Sequence, residues 1–430
     1  HSGEYRGNWS PYIPRNVILK YSKAGELVLD YFCGAGTTAV EAKLLGRRCT
    51  AFDIHDKAIE LAKKNIDFKV PIEKPLFPKI YEPELFVGDA RNLFFLERNS
   101  VDLICAHPPY ANIIHYTEHK EGDLSYFDTE HFLKEMEKVA RESYRVLKPG
   151  RQCAILIGDM RRHKHVVPLG FKLINVYLDA GFKLKELVIK RQHNCKTTGF
   201  WYANSIKFNF LLLAHEYLPI FEKPITESGM VKEQPAAYGL VQPLLTRPHL
   251  KRKLEELETA TVWIFPEDEF ENLLNKNVVE RYRDGKLYRT INLVSGSEKL
   301  AEISYPHLRG KLNLLFIKSL CLNNKDISVS DVSAYLKQLK ENISTESQLI
   351  KEGGYCVIQT KDVRIGNYIE PLAKYIVDSV EPKDFSLKEI VVITIENHKD
   401  KFAENSSGLQ IAHQYLLVYK KIVAGGASHE

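Results

Sequence analysis

The sequence predicts an α/β chain with a seven-stranded, doubly wound sheet, followed by a partial repeat of that sheet's second half. Three observations lead there. Near the start, an apolar strand run breaks at a Gly-Ala-Gly turn into a helix, the opening of a nucleotide-binding crevice. Acidic residues close three successive strand runs. Residues 353–389 echo residues 150–186 at a constant shift of 203.

The totals set the bounds. A chain of 430 residues has room for two or three domains. With 44% hydrophobic and 27% charged residues it has an ordinary globular composition. No apolar run reaches the length of a bilayer span and no signal peptide opens the sequence, so a membrane role is not expected. Seven cysteines (33, 49, 105, 153, 195, 321 and 356) are scattered without a C-x-x-C pair. That argues against a disulfide framework or zinc ribbon and for a reducing cytoplasm. The net charge of +5 is compatible with a nucleic-acid partner without demanding one.

The elements follow in order. "LVLDYF" is a continuous apolar run, as expected of a buried parallel strand. Gly34 and Gly36 let the backbone approach a ligand, and "TTAVEAKLLGR" has helical spacing. "RCTAFDI" is the next strand. It ends in Asp53, 17 residues after Gly36, where a carboxylate can accept from both hydroxyls of a ribose. The third glycine of a dinucleotide fingerprint is missing. "ELFVGDARNL" gives a third strand and Asp89, which also reads as the N-cap of "ARNLFFL". An apolar run then ends in "HPPY", His107 to Tyr110.

"LDYFCGAGTT", "FDI", "VGDARNL" and "HPPY", in that order, resemble the amino-group DNA methyltransferases of the gamma motif order. The N-terminal stretch "GNWSPYIPRNVILKYSKAG" resembles the tenth motif of that family, with Trp9, Ser10 and Asn16 at matching positions. The resemblance covers residues 3 to 223. It implies a seven-stranded methyltransferase sheet and S-adenosylmethionine as cofactor. It also implies a cytoplasmic, nucleoid-associated role in restriction-modification or as an orphan modifier, on double-stranded DNA, with a cognate restriction endonuclease as a possible partner. By the same resemblance Asp30 would engage the charged methionine end, Asp53 the ribose and Asp89 the adenine amino group. Asn16, Phe32, Gly34, Gly36, Thr37, Ile54 and Ala90 would complete the cofactor site.

The loop departs from the family, which carries Asp, Asn or Ser where this chain has His107. A base amino group is a poor nucleophile because its lone pair is conjugated with the ring. Acceptors aimed at its hydrogens favour a tetrahedral nitrogen and stabilise the developing charge. A neutral imidazole offers one acceptor and an imidazolium none. His107 and the Pro108 carbonyl are therefore expected to take one hydrogen each, beside Pro109, with Tyr110 stacking on a flipped base. Activity should fall below the usual His value of about 6.5. No metal is called for. Asn112, His115, Tyr116, Glu118 and Asp123 should border the base pocket.

The remainder of the first region reads as helix "HFLKEMEKVARESYRVLKPG", strand "QCAILIGDMR", helix "VVPLGFKLINVYLDAGF" and a closing antiparallel hairpin. Arg161 and Arg162 after the strand, with Lys196, Trp201 and Lys207 in the hairpin loop, are candidate DNA contacts. The repeat pairs Cys153 with Cys356, Asp159 with Asp362, Arg161 with Arg364 and Glu186 with Glu389, and "AHEYL" with "AHQYL" after a small deletion. It has no glycine turn or Pro-Pro-Tyr, so it should bind no cofactor. The expected division is a catalytic domain at 1–223, a recognition or connecting region at 224–345, and a degenerate lobe at 346–430. The leading expectation is an amino-directed DNA methyltransferase, with cytosine-N4 slightly ahead of adenine-N6. The alternatives are a tRNA guanine-N2 enzyme and a non-catalytic DNA-binding subunit of the same fold.

Overall fold

The computed structural model describes residues 7–69, 79–111, 117, 120–163, 165–192, 198–225, 238–246, 257–283, 287–295, 308–320, 322, 327–379, 384–396 and 409–423. The chain divides into two compact units. The first comprises His1–Asp159, Leu169–Lys190 and Glu216–Gly229; the second comprises Met160–Pro168, Arg191–His215 and Met230–Glu430.

In chain order the first unit holds α1 (Tyr12–Tyr21), β1 (Leu27–Asp30), α2 (Thr37–Leu44), β2 (Arg48–Asp53), α3 (Asp56–Ile66), β3 (Glu84–Val87), β4 (Val101–Ala106), α4 (Thr129–Val146), β5 (Leu147–Ile155) and β6 (Ile157–Gly158). The hairpin β7 (Met160–Arg162) and β8 (His165–Val167) belongs to the second unit. The first unit resumes with α5 (Leu169–Asp179) and β9 (Lys183–Arg191). After α6 (Thr198–Phe208), again in the second unit, it closes with β10 (His215–Glu222). The sheet order is β3-β2-β1-β4-β5-β10-β6, with β9 on β10. Because β6 prolongs the line of β5 along β10, the sheet has the seven lines expected. Strands β1 to β5 pair in parallel, and β10 runs antiparallel to β5.

Local chemistry accounts for these elements. All six residues of β4 are buried, as suits a central strand covered on both faces. In α4, Phe132, Met136, Val139, Ala140, Ser143 and Val146 form one buried stripe, and the Asp128 carboxylate caps the start by accepting from the His131 N–H. Gly36, at φ 81°, turns the chain into α2, and a Cβ there would meet the Ala62 Cβ at 2.9 Å. It therefore supplies both the left-handed turn and the close approach of α2 to α3.

Two expected elements differ. Residues 90–98 form turns, so Asp89 caps no helix; its backbone carbonyl accepts from Asn92 instead. The loop expected between the two closing strands contains helix α6, and Arg191–His215 is counted with the second unit.

The second unit continues with β11 (Tyr238–Thr246), β12 (Val262–Phe265), α7 (Phe270–Tyr282), β13 (Tyr288–Ser295), β14 (Leu312–Lys318), α8 (Val329–Glu346), β15 (Ile350–Thr360), β16 (Val363–Ile365), β17 (Tyr368–Glu370), α9 (Leu372–Ser379), β18 (Phe385–Ile395) and β19 (His413–Lys421). Its sheet order is β11-β13-β14-β15-β19-β18-β12. Residues 224–345 and 346–430, expected as separate regions, thus contribute neighbouring strands to one sheet, since β14 pairs with β15.

The repeat reaches further back than the sequence indicated. In the first unit Ile104 pairs with Cys153 and the ladder shifts register between Val101 and Leu103. In the second, Leu315 pairs with Cys356 and the ladder shifts between Leu312 and Leu314. Strand β14 is therefore the counterpart of β4, with the same bulge, and β13 stands beside it in parallel as β1 stands beside β4. The buried Asp159 accepts from the Gly170 N–H and the Tyr217 hydroxyl, while the buried Asp362 accepts from the Ala373 N–H. Burial pushes both carboxyls up to about 7.

Arg161, a candidate DNA contact by sequence, has a structural role instead. Its guanidinium pairs with the fully buried Glu389, donates to the Leu211 carbonyl at 2.9 Å and lies over the Phe210 ring. Removing one partner strands the other as an uncompensated buried charge. Arg161→Ala should therefore destabilise the second unit by about 3–5 kcal/mol. Urea unfolding followed by Trp fluorescence tests this, and a loss under about 1 kcal/mol would contradict the structural assignment.

Candidate active site

A cleft opens in the first unit at the C-terminal ends of β1, β2 and β4, where open α/β sheets place their ligands. Its lining includes Trp9, Phe32, Gly34, Asp53, Ile54, Asp89, His107, Pro109 and Asp123. The Asp53 carboxylate closes the turn beneath it, accepting from the Gly34 N–H at 2.9 Å and the His55 N–H at 3.0 Å. Burial raises its pKa, with those two donors acting in the opposite direction. The fixed carboxylate keeps acceptor capacity for a pair of hydroxyls.

Asp89 is held from the side. The Arg91 guanidinium donates to both of its oxygens, from Nε to Oδ1 at 3.0 Å and from Nη2 to Oδ2 at 2.6 Å, and also pairs with Glu135. The hydrogen bond to Asp89 is the main reason the Arg91 pKa is raised. Gly122 closes over this pair at φ 89°, where a Cβ would meet Arg91 Nη2 at 2.6 Å and Ile54 Cδ1 at 2.9 Å. The neighbouring Asp123 is buried and spends its oxygens on the Ser125 N–H and on Thr117.

The loop after β4 carries His107, Pro108, Pro109 and Tyr110. The His107 ring stacks on the Trp9 indole at 5.5 Å and 23°. His107 Nε2 lies 2.9 Å from the Tyr110 hydroxyl, which donates to Glu216 Oε1 at 2.6 Å. The other Glu216 oxygen pairs with the Lys190 ammonium. Burial opposes the ionisation of Glu216, but Lys190 and the Tyr110 hydroxyl outweigh it and hold the carboxyl below its usual range. Burial pushes the His107 imidazole down to about 4; Glu216 pulls against the shift and Lys190 adds to it. His107 is thus neutral at physiological pH.

The structure gathers some predicted residues and separates others. Phe32, Gly34, Asp53, Ile54, Asp89, His107 and Pro109 line one cleft. Asp30, Gly36, Thr37 and Ala90 are buried behind it and are not part of the lining. Asp30 accepts from the Phe32 N–H at 3.0 Å, and burial pushes its carboxyl up to about 7, so it supports the turn. Asn16 is exposed on α1, outside the lining, and Ser10 is exposed. Pro108 is buried and Tyr110 half-buried, with its ring edge over Gly158. Asn112, His115, Tyr116, Glu118 and Lys196 lie outside the described residues. Arg162 is exposed on β7, and Trp201 and Lys207 are exposed on α6. Sequence reasoning missed Arg91, Lys190 and Glu216. The signal for Glu216 was present, since it is the one difference between "AHEYL" and "AHQYL".

The profile of a family described as DNA methylase matches residues 3–64 and 101–307, more than half of the chain. A tRNA (guanine(10)-N2)-dimethyltransferase of Methanothermobacter thermautotrophicus is 35% identical over 108 residues, 25% of this chain and 29% of that protein. The type II methyltransferase M2.DpnII of Streptococcus pneumoniae is 35% identical over 66 residues, 15% of this chain and 25% of that protein. The matched stretch therefore spans less than a third of the length of these relatives. Among solved structures, a SAM-dependent methyltransferase of Methanosarcina mazei is 16% identical at a TM-score of 0.35, covering 49% of this chain and 98% of its own.

If Asp53 receives the ribose, Asp53→Ala should weaken cofactor binding by about 1.5–3 kcal/mol, the range for a hydrogen-bonded charge. Titration calorimetry with the full chain measures this directly. An unchanged affinity would place the ribose elsewhere.

Proposed function

This chain belongs to the DNA methylase family, and from that premise we propose that it methylates an exocyclic amino nitrogen of a base in double-stranded DNA. Its cofactor is S-adenosylmethionine, which when bound supplies an electrophilic methyl group on a sulfonium sulfur. The observation that carries the proposal is a neutral imidazole at the rim of the cleft, next to a buried proline whose carbonyl can serve as a second acceptor. A base flipped to this rim presents its amino hydrogens to His107 and to the Pro108 carbonyl. Gly34, Asp53 and Ile54 would hold the cofactor, which would supply the methyl group, while His107 and the Pro108 carbonyl hold the amino nitrogen that takes it up. The nitrogen then sheds one proton to His107, which releases it to solvent. A ring-conjugated aminium is a far stronger acid than an alkylammonium, so a weak base at about 4 suffices to take that proton.

The neutral residue at the head of the loop favours cytosine-N4 over adenine-N6, because it resembles the Ser of many cytosine-N4 enzymes more than the Asp of most adenine-N6 enzymes. Exposed Trp201, Tyr202 and Lys207 on α6 are suited to bases and phosphates. A second reading, tRNA guanine-N2 methylation, is kept in view by the relative acting on tRNA. Transfer of labelled methyl to duplex DNA, against tRNA, separates the two; label in tRNA alone would overturn the DNA assignment.

Two outcomes are expected of His107. His107→Ala should lower single-turnover transfer about 100- to 1,000-fold with little change in cofactor affinity, because the lost contact strengthens in the transition state. The pH dependence moves away from the ordinary imidazole range expected from sequence. Imidazolium cannot accept, and burial holds the ring neutral until about 4. Wild-type transfer should therefore stay level as pH falls from about 8 to about 5.5, the interval in which an ordinary His titrates. It should drop only as pH approaches about 4. A midpoint near 6.5 would show that the ring is not desolvated as the structure places it.

A further inference from the structure

The chain Lys190–Glu216–Tyr110–His107 fixes more than the position of the imidazole. A neutral imidazole has two tautomers, and only the one with a free lone pair toward the substrate can accept an amino hydrogen. The Tyr110 hydroxyl has a single hydrogen, and it points to Glu216 Oε1 at 2.6 Å. Ionised Glu216, paired with Lys190, can only accept. The Tyr110 oxygen must then accept from His107 Nε2 across the 2.9 Å contact. That leaves Nδ1 with the lone pair, and among the described residues no partner occupies it. We propose that Glu216 is a positioning residue for methyl transfer: through Tyr110 it locks His107 in the Nε2–H tautomer, so that Nδ1 faces the substrate as an acceptor.

The repeat supplies an independent observation. Strand pairing matches Phe221 on Cys153 to Tyr419 on Cys356, so Glu216 corresponds to Gln414 and Lys190 to Ile393. At the counterpart of the loop, the described residues Lys318, Ser319 and Leu320 stand where His107, Pro108 and Pro109 stand. Where there is no imidazole to orient, the carboxylate and its lysine are both absent. A role in folding alone would give no reason for them to be lost together with the loop.

Without the carboxylate, the Tyr110 hydroxyl can turn and donate to Nε2, which places the imidazole hydrogen on Nδ1 and converts the acceptor into a donor. The charged and titratable groups around the ring are Tyr110 on its own loop, Lys190 on β9 and Glu216 on β10, with the Trp9 indole stacked on its face.

The catalytic consequence rests on the amino-methyl transfer proposed above, whereas the tautomer is a property of the protein alone. Full-length protein labelled with ¹⁵N-histidine, examined by long-range ¹⁵N–¹H correlation at neutral pH, reads the tautomer directly. His107 is assigned as the signal missing from His107→Asn. The wild type should show a protonated Nε2 and a lone-pair Nδ1. Both Glu216→Gln, the residue the second copy carries, and Tyr110→Phe should give a mixture of tautomers. A protonated Nδ1 in the wild type, or an unchanged Nε2–H form in both variants, overturns the proposal. In single-turnover transfer, Glu216→Gln should lose about 100- to 10,000-fold, the scale of a wrong-tautomer defect, with cofactor affinity held within about twofold. An equal loss in cofactor affinity would make the role structural. Absence of transfer by the wild type to any nucleic acid would sink the proposed function, and the spectra would still decide the tautomer.

Discussion

A buried carboxylate must find a counter-charge or hydrogen-bond donors, and Glu216 is given both: the Lys190 ammonium on one oxygen and the Tyr110 hydroxyl on the other. Much of the reactive loop's geometry follows from that arrangement. Because Glu216 is ionised, Tyr110 has one orientation. Because Tyr110 has one orientation, His107 has one tautomer. Because Trp9 covers the ring and the strand ends bury it, the imidazole stays uncharged. A histidine in water would provide neither a fixed tautomer nor a fixed charge state near neutral pH. The substitution of His for the acidic or hydroxyl residue usual at this position is therefore consistent with a working site, provided the surrounding groups do what Asp or Ser would do alone.

The two copies of the sheet separate what the fold needs from what the chemistry needs. A buried aspartate, Asp159 or Asp362, persists in both, each accepting from a backbone donor at the head of the following helix. So does the bulge between the first and third residues of the strand preceding the loop. These features bury polar groups under the sheet, and losing a single partner would leave an unsatisfied group. The residues that differ lie at the sheet edge where the parallel strands end and the antiparallel β10 and β19 begin: His107, Glu216 and Lys190 give way to Lys318, Gln414 and Ile393. Gln414 receives the Gln359 amide at 2.8 Å, a neutral contact where the first copy holds an ion pair.

The sequence made local features legible. The strand, glycine turn and helix at residues 27–44, the acids closing β1 and β2, and the Pro-Pro loop are all encoded over a few residues. Features that depend on distant partners were not legible. Glu216 lies 106 positions from Tyr110, and its role shows only when β10 is laid beside β5. Arg161 in "MRRHKH" reads as a phosphate contact because a basic run is ordinarily solvated; its burial depends on Glu389, 228 positions away. The length of the repeat was underestimated for a related reason. "VDLICA" and "LNLLFIK" share little but apolar character, and only their ladder register and common bulge identify them as the same strand.

The ion pair beneath the loop also bears on why the imidazole's proton affinity can be so low without cost to the chemistry. A general base in an alkylamine reaction has to match a strongly basic nitrogen. In the base-amino transfer proposed for this site, the nitrogen that would become charged is conjugated with a ring, and it would give up its proton readily once methylated. Acceptance of a hydrogen bond in the transition state, rather than bulk proton affinity, is what the site must supply. Desolvation that lowers the imidazole to about 4 ensures that the lone pair is present at every physiological pH. Glu216 alone would pull the ring toward the charged form; Lys190 offsets that pull while leaving the carboxylate ionised to hold Tyr110. Burial is thus what keeps the histidine neutral two hydrogen bonds from an anion, and Lys190 adds to it while pairing with the carboxylate.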